Sequence, residues 1–105
     1  MFNKPAPIER SSQRQTEIEL QCQNLALYQY NSCPFCRKVR GEIERLALPI
    51  EMRDVMKNPE HRQALMQGGG RTTVPCLQIT HDNGKVQWMY ESDDISRYLR
   101  ERFSN

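Results

Sequence analysis

Cys33 and Cys36 stand one helical turn apart in the segment Cys33-Pro34-Phe35-Cys36. They lie where a short apolar run, Leu25 to Tyr30, gives way to a segment of helical periodicity. A cysteine at a helix N-terminus sits in the field of unpaired backbone N–H groups, which favours the thiolate, the nucleophilic form. A second thiol one turn on can resolve the mixed disulfide that the first one forms. The pair therefore reads as a redox centre, with Cys33 the exposed attacker and Cys36 the more buried resolver. Arg37, Lys38 and Arg40 add positive charge nearby. A structural disulfide and half of a zinc site are the competing readings. Zinc would want a second Cys/His pair. His61 and His81 stand apart from the motif, so no metal ligands are assigned.

The elements that must position this pair have to fit in 105 residues, which allows one small domain with a single core. A net charge of +2, with basic and acidic residues interspersed, is too weak to imply nucleic acid or a membrane surface. No apolar stretch approaches the length that spans a bilayer. The start, Met1 to Pro7, lacks an apolar signal core. The expected setting is cytoplasmic, where thiols stay mostly reduced. The four cysteines then read as a catalytic pair and two spare thiols, Cys22 and Cys76.

Residues 1–24 form a polar N-terminal extension, rich in Gln, Ser, Glu and Arg. Ile18, Cys22 and Leu25 fall at helical spacing, so a short helix over 12–23 and a solvated tail are both open. Residues 25–105 carry the sharper pattern. A strand over 25–30 is followed by a helix from Pro34 to about Ala47, whose stripe is Phe35, Val39, Ile43 and Leu46. A second strand over 50–55 alternates Ile50, Met52 and Asp54 against Glu51, Arg53 and Val55. Asn58 caps a second helix ending at Gly68. A strand over 74–80, the hairpin signal Asp82-Asn83-Gly84 and a returning strand over 85–90 come next. Ser92 is expected to cap the last helix, built on Ile95, Tyr98, Leu99 and Phe103. The order β-α-β-α-β-β-α combines a parallel βαβ unit with an antiparallel hairpin, a four-stranded mixed α/β sheet of thioredoxin-like arrangement. Gly68-Gly69-Gly70 follows a helix and lacks the Lys-Ser/Thr of a phosphate loop, so it reads as helix termination and a flexible link.

Tyr28 with Cys33-Pro34-Phe35-Cys36, then Arg71-Thr72-Thr73-Val74-Pro75, then Ser92-Asp93-Asp94-Ile95 resemble the three signature segments of glutaredoxins, in order and spacing. The resemblance covers roughly residues 25–103. It implies a glutaredoxin fold and a glutathione-dependent thiol–disulfide oxidoreductase with catalytic Cys33 and Cys36. Thr73-Val74-Pro75 would be the family's cis-proline loop, presenting the Val74 backbone to an extended cysteinyl substrate. Ser92, Asp93 and Asp94 would take the γ-glutamyl end of glutathione at a helix N-terminus. Tyr90-Glu91 stands where glutaredoxins often have Gly-Gly, and Glu91-Ser92 before that helix is similar to the matching site of glutathione transferase N-terminal domains.

Tyr30 replaces the lysine that many glutaredoxins carry three residues before the first cysteine. Arg71 is the candidate to supply the missing charge, and Tyr30 is otherwise a strand aromatic. With Phe35, these residues make up the expected glutathione site. Glutathione is then a co-substrate, with no tightly bound cofactor. The expected partners are glutathionylated or disulfide-containing proteins, and the expected state is a monomer. Cys76, in place of the family's usual Gln, reads as a small buried residue. A glutathione-ligated [2Fe–2S] carrier and a redox-linked partner-binding module are the alternatives. Pro34 speaks against the carrier, which usually has a small residue there.

Overall fold

A computed structural model describes residues 8–104. The segment read for a signal core, Met1 to Pro7, lies outside the described residues. The elements are α1 (Ser12–Cys22), β1 (Leu25–Gln29), α2 (Pro34–Arg45), β2 (Glu51–Asp54), α3 (Pro59–Gly69), β3 (Cys76–Thr80), β4 (Val86–Met89) and α4 (Ser92–Phe103). The strands form one mixed sheet in the order β2-β1-β3-β4. β1 runs parallel to β2, with Leu27 opposite Met52, and antiparallel to β3, with Leu27 opposite Leu77. β3 and β4 close the antiparallel hairpin, with Gln78 opposite Trp88. This is the expected thioredoxin-like architecture, with one additional helix in front.

Alternation along β1 and β3 splits the core between the two faces of the sheet. Leu25, Leu27, Leu77 and Ile79 face α1, α2 and α4, where Ile18, Val39, Ile43, Ile95, Leu99 and Phe103 are buried with them. Each such side chain contributes about 1.5–3 kcal/mol on burial. Tyr28 and Cys76 face the other way, toward Leu65 of α3 and Val55. β1 is buried along its whole length, as a strand covered on both faces must be.

The helix starts follow local chemistry. Asn58 caps α3 by accepting from the Glu60 N–H at 3.0 Å, and Pro59 fills the first turn. At the hairpin, Gly84 takes φ +85 and Asn83 accepts from the Lys85 N–H. Ser11 caps α1 through the Arg14 N–H. α1 is docked by Ile18 and Cys22, both fully buried, and by Gln15, which donates to Ala47 O at 3.1 Å.

Several expectations are corrected. α2 ends at Arg45 rather than near Ala47, which takes φ +53 as the chain turns. Phe35 does not continue the buried stripe of α2 but is 64% exposed, because the first turn projects beyond the sheet. The alternation read on β2 is not realised: Met52 is exposed, since β2 is an edge strand, while Ile50 and Val55 are buried just outside it. α3 continues to Gly69, and Gly70 forms its left-handed cap at φ +90. Glu91, not Ser92, holds the N-cap position of α4, without a side-chain capping bond, and Ser92 is the first helical residue.

Candidate active site

The chain enters α2 through a turn in which the Cys33 N–H donates to Tyr30 O at 3.2 Å. Cys33 is then the N-cap of α2, extended in backbone, with Pro34 in the first turn. Its Sγ accepts from the Cys36 N–H at 3.2 Å. The sulfur thus does for this helix what a serine or aspartate oxygen does elsewhere. A negative charge forming on it would meet a donor and the positive end of the helix. Cys33 is only 4% exposed, against the expectation of an open thiol. Turning Sγ back over the helix to reach that N–H takes it off the surface. Cys36 is fully buried. Burial first, then the hydrogen bond with the Cys33 side chain, pushes its thiol pKa up. Both sulfurs are free thiols, as are Cys22 and Cys76.

Arg40, one turn beyond Cys36, braces the approach to the dithiol. Its guanidinium donates to Gln29 Oε1 at 2.5 Å, to Tyr30 O at 3.2 Å and to Asn31 O at 2.9 Å. Gln29 is a buried polar residue, so that contact satisfies an acceptor with little access to water. Sequence reasoning credited Arg40 with charge near the thiols and missed this clamp on the preceding loop.

A cleft of about 320 Å³ opens beside the dithiol, lined by Phe35, Arg71, Thr73, Val74, Pro75, Tyr90, Glu91, Ser92 and Asp93. The Val74–Pro75 peptide bond is cis. Three segments distant in sequence therefore meet here: the first turn of α2, the loop before β3 and the start of α4. No side chain caps α4, so the N–H groups of its first turn have no side-chain acceptor, and Ser92 and Asp93 of that turn line the cleft. Cys33 is not among the lining residues, and Phe35, two positions on, is the link between cleft and dithiol.

Charge in the cleft is unevenly committed. Asp93 pairs with Lys38 of α2 at 2.5 Å, which holds its carboxyl below the usual range. Arg71 has no carboxylate partner among the described residues. Its guanidinium lies 4.1 Å from the Tyr90 ring centroid. The Tyr90 hydroxyl donates to Arg71 O at 3.0 Å and accepts from the Arg71 N–H at 3.4 Å.

Two expected site residues lie away from the cleft. The Tyr30 side chain packs against the cluster of Tyr28, Val55, Leu65 and Cys76. It behaves as a strand aromatic, because the end of β1 is covered on that face. Asp94 points along the surface of α4 toward Arg97 at 3.6 Å. Tyr90 and Glu91 are lining residues that sequence reasoning did not assign. The signal for Tyr90 was the glycine pair before Arg71. A Cβ on Gly69 would lie 1.9 Å from the Tyr90 hydroxyl oxygen, and one on Gly68 would lie 2.0 Å from the Trp88 ring. Those glycines admit two aromatic rings and are not only a link, as consecutive glycines inside a helix can signal. Cys76 is fully buried behind this layer, and burial pushes its thiol up to about 12.

An α/β sheet of this order, with a thiol-capped helix beside a cis-proline loop, defines a thioredoxin-like domain. The chain belongs to the glutathione S-transferase N-terminal domain family, whose model matches residues 27–105. It is 44% identical to prostaglandin E synthase 2 of Danio rerio over 63 residues, 60% of this chain and 15% of that protein. To prostaglandin E synthase 2 of Mus musculus it is 34% identical over 76 residues, 72% of this chain and 19% of that protein. The chain thus spans less than a fifth of the length of these relatives. Among solved structures it is similar to maleylacetoacetate isomerase from Anaeromyxobacter dehalogenans with glutathione bound in the active site, at 26% identity and a TM-score of 0.61, covering 78% of this chain and 38% of that one. The Leishmania trimeric glutathione transferase TDR1 gives a TM-score of 0.62 at 29% identity, over 76% of this chain and 18% of that one.

Proposed function

We propose that this domain is a glutathione-dependent thiol–disulfide oxidoreductase of glutaredoxin type. The observation that carries the reading is Cys33 Sγ at the N-cap of α2, accepting the Cys36 N–H beside the cleft. The Cys33 thiolate attacks the glutathione sulfur of a mixed disulfide. The old S–S bond breaks, a new one joins Cys33 to glutathione, and the released thiolate takes a proton from water. A second glutathione, as its thiolate, attacks that bond, so that glutathione disulfide leaves and the Cys33 thiolate is restored. For a protein disulfide, Cys36 loses its proton and closes on Cys33, expelling the substrate's thiolate. Its raised pKa keeps Cys36 protonated at neutral pH, so it does not compete for the first attack.

The cleft suits a zwitterionic, extended ligand. Val74 offers backbone for β-type pairing. The uncapped start of α4 suits the γ-glutamyl carboxylate, and Arg71 suits the glycyl carboxylate. The reaction fits a reducing compartment such as the cytoplasm. Turnover of a glutathionylated peptide, with and without glutathione, tests the reading. No glutathione-dependent release of the peptide thiol would end it.

A second reading follows from the relatives. The 44% identity to a protein named prostaglandin E synthase makes that synthesis a candidate for a longer chain containing this domain. Product analysis on such a chain, with Cys33→Ser as control, would test it.

A further inference from the structure

Resting on the proposed glutathione-dependent reaction, we infer that Tyr90 is a positioning residue that holds Arg71 in the cleft as a receptor for the substrate's carboxylate. Three contacts converge on one side chain. The hydroxyl donates to Arg71 O at 3.0 Å, accepts the Arg71 N–H at 3.4 Å, and the ring lies 4.1 Å from the guanidinium carbon. Backbone and charge of the same residue are therefore fixed by one phenol. Gly69 underlies the arrangement, because any Cβ there would fall 1.9 Å from the hydroxyl oxygen. The missing side chain at Gly69 leaves room for the phenol to reach the Arg71 backbone.

The charge balance says what this serves. Asp93, the acidic residue at the start of α4 in the cleft, is already paired with Lys38 of α2. Arg71 has no acidic partner among the described residues. An arginine stacked on an aromatic ring keeps the edge of its guanidinium free, and that edge is a planar fork matching a carboxylate. Its flexible stem would otherwise cost rotamer entropy on binding, and the Tyr90 stack removes part of that cost in advance. The domain should therefore favour a thiol substrate with a free carboxylate at its glycyl end over one in which that group is an amide.

The test uses two mixed disulfides of one peptide, with glutathione and with glutathione C-terminal amide. Wild type, Tyr90→Phe, Gly69→Ala, Arg71→Ala and Tyr90→Phe/Arg71→Ala are compared. Wild type should show a KM about three- to tenfold lower for the free acid, with little change in kcat. Tyr90→Phe, which loses both backbone bonds, should erode that preference. Gly69→Ala, which displaces the ring from the other side, should do the same. The double variant should be no worse than Arg71→Ala alone, because the two residues act through one contact. Equal KM values for acid and amide in wild type, or multiplicative losses in the double variant, would overturn the role of Tyr90 while leaving glutathione-dependent turnover intact. No turnover of either disulfide by wild type would instead remove the underlying reaction, and this inference with it.

Discussion

The backbone N–H of Cys36 donates to the sulfur of Cys33 at 3.2 Å, so each cysteine has a part in the other's chemistry before any disulfide forms. Cys33 is the cap and Cys36 the residue that is capped. Cys33→Ser should abolish reduction of glutathionylated peptide, although serine caps the helix equally well and the fold should persist. Cys36→Ser should keep that activity, since its backbone N–H remains, and should lose reduction of intramolecular protein disulfides. Steady-state assays of both reactions check the pair. Wild-type turnover in Cys33→Ser, or equal loss of both reactions in Cys36→Ser, would refute the division of labour.

Arg40→Ala removes three hydrogen bonds to Gln29, Tyr30 and Asn31, just ahead of Cys33, and leaves Gln29 Oε1 buried without that partner. The expected loss is about 1–3 kcal/mol of stability. For a domain of this size each kcal/mol corresponds to about 4–8 °C in Tm. Thermal unfolding followed by circular dichroism measures it. A shift within error would mean that water replaces the guanidinium at no cost.

Arg71→Ala should raise the KM for the glutathionylated substrate more than it lowers kcat. An exposed charge-assisted contact contributes about 0.5–2 kcal/mol, several-fold to about thirtyfold in affinity. The penalty should shrink in high salt, where exposed charges are screened. Kinetics of the variant at low and high salt decide the matter. A salt-independent KM equal to wild type would show that the glycyl end is held elsewhere.

Gly68→Ala sets two effects against each other. Alanine in a helix interior is favoured over glycine by about 1 kcal/mol. Here, however, the new Cβ would fall 2.0 Å from a ring atom of Trp88, with two more ring atoms within 2.7 Å. Trp88 is in turn packed on Tyr28, ring centroids 5.5 Å apart, so it has no simple way to retreat. Overpacking costs about 1–3 kcal/mol and should win. A urea midpoint above wild type would mean that propensity dominates.

Glu42 links α2 to α4 through Arg100 at 2.7 Å and accepts from Arg45 at 2.6 Å. Burial alone would raise its pKa, but the hydrogen bonds and charges of Arg45 and Arg100 outweigh burial and hold the carboxyl below its usual range. A depressed folded-state pKa means that the unfolded chain takes up the proton first as pH falls. The contribution is therefore complete above the unfolded carboxyl pKa and is lost as pH falls through the lower, folded value. Glu42→Gln should flatten the acid limb of a stability–pH curve. An unchanged acid limb would count against the linkage.

How much of this was legible in the sequence depended on how local the cause was. Asn58 with Pro59, Asp82-Asn83-Gly84, and Pro34 after Cys33 announce their turns and caps through their own backbone chemistry, and the parallel pair, the hairpin and the mixed four-stranded sheet followed from the elements between them. The grouping of Phe35, Arg71, Val74, Pro75, Ser92 and Asp93, which line one cleft, came from the resemblance of three segments to glutaredoxins, because periodicity alone does not say which loops meet. The misreadings concern groups whose orientation is set by distant neighbours. Tyr30 turns inward because α3 covers that face of β1. Cys33 is covered because its sulfur reaches the Cys36 N–H. Ser92 yields the N-cap position to Glu91, and Gly68 and Gly69 answer to the rings of Trp88 and Tyr90, 20 and 21 residues away in the chain.

Arg10 reaches across to the carbonyl of Leu46, just past the end of α2, and to that of Phe103, the last residue of α4. These are the two helices whose opposite ends meet at the cleft. One cation upstream of α1 thus ties off both negative poles, while Ile18 and Cys22 seat α1 in the shared core. Trimming the chain to residue 25 would then do more than remove a handle for partners. It would let both helices breathe at their far ends, and the domain should become open to limited proteolysis around Leu46 to Pro49 before any change at the thiols is seen.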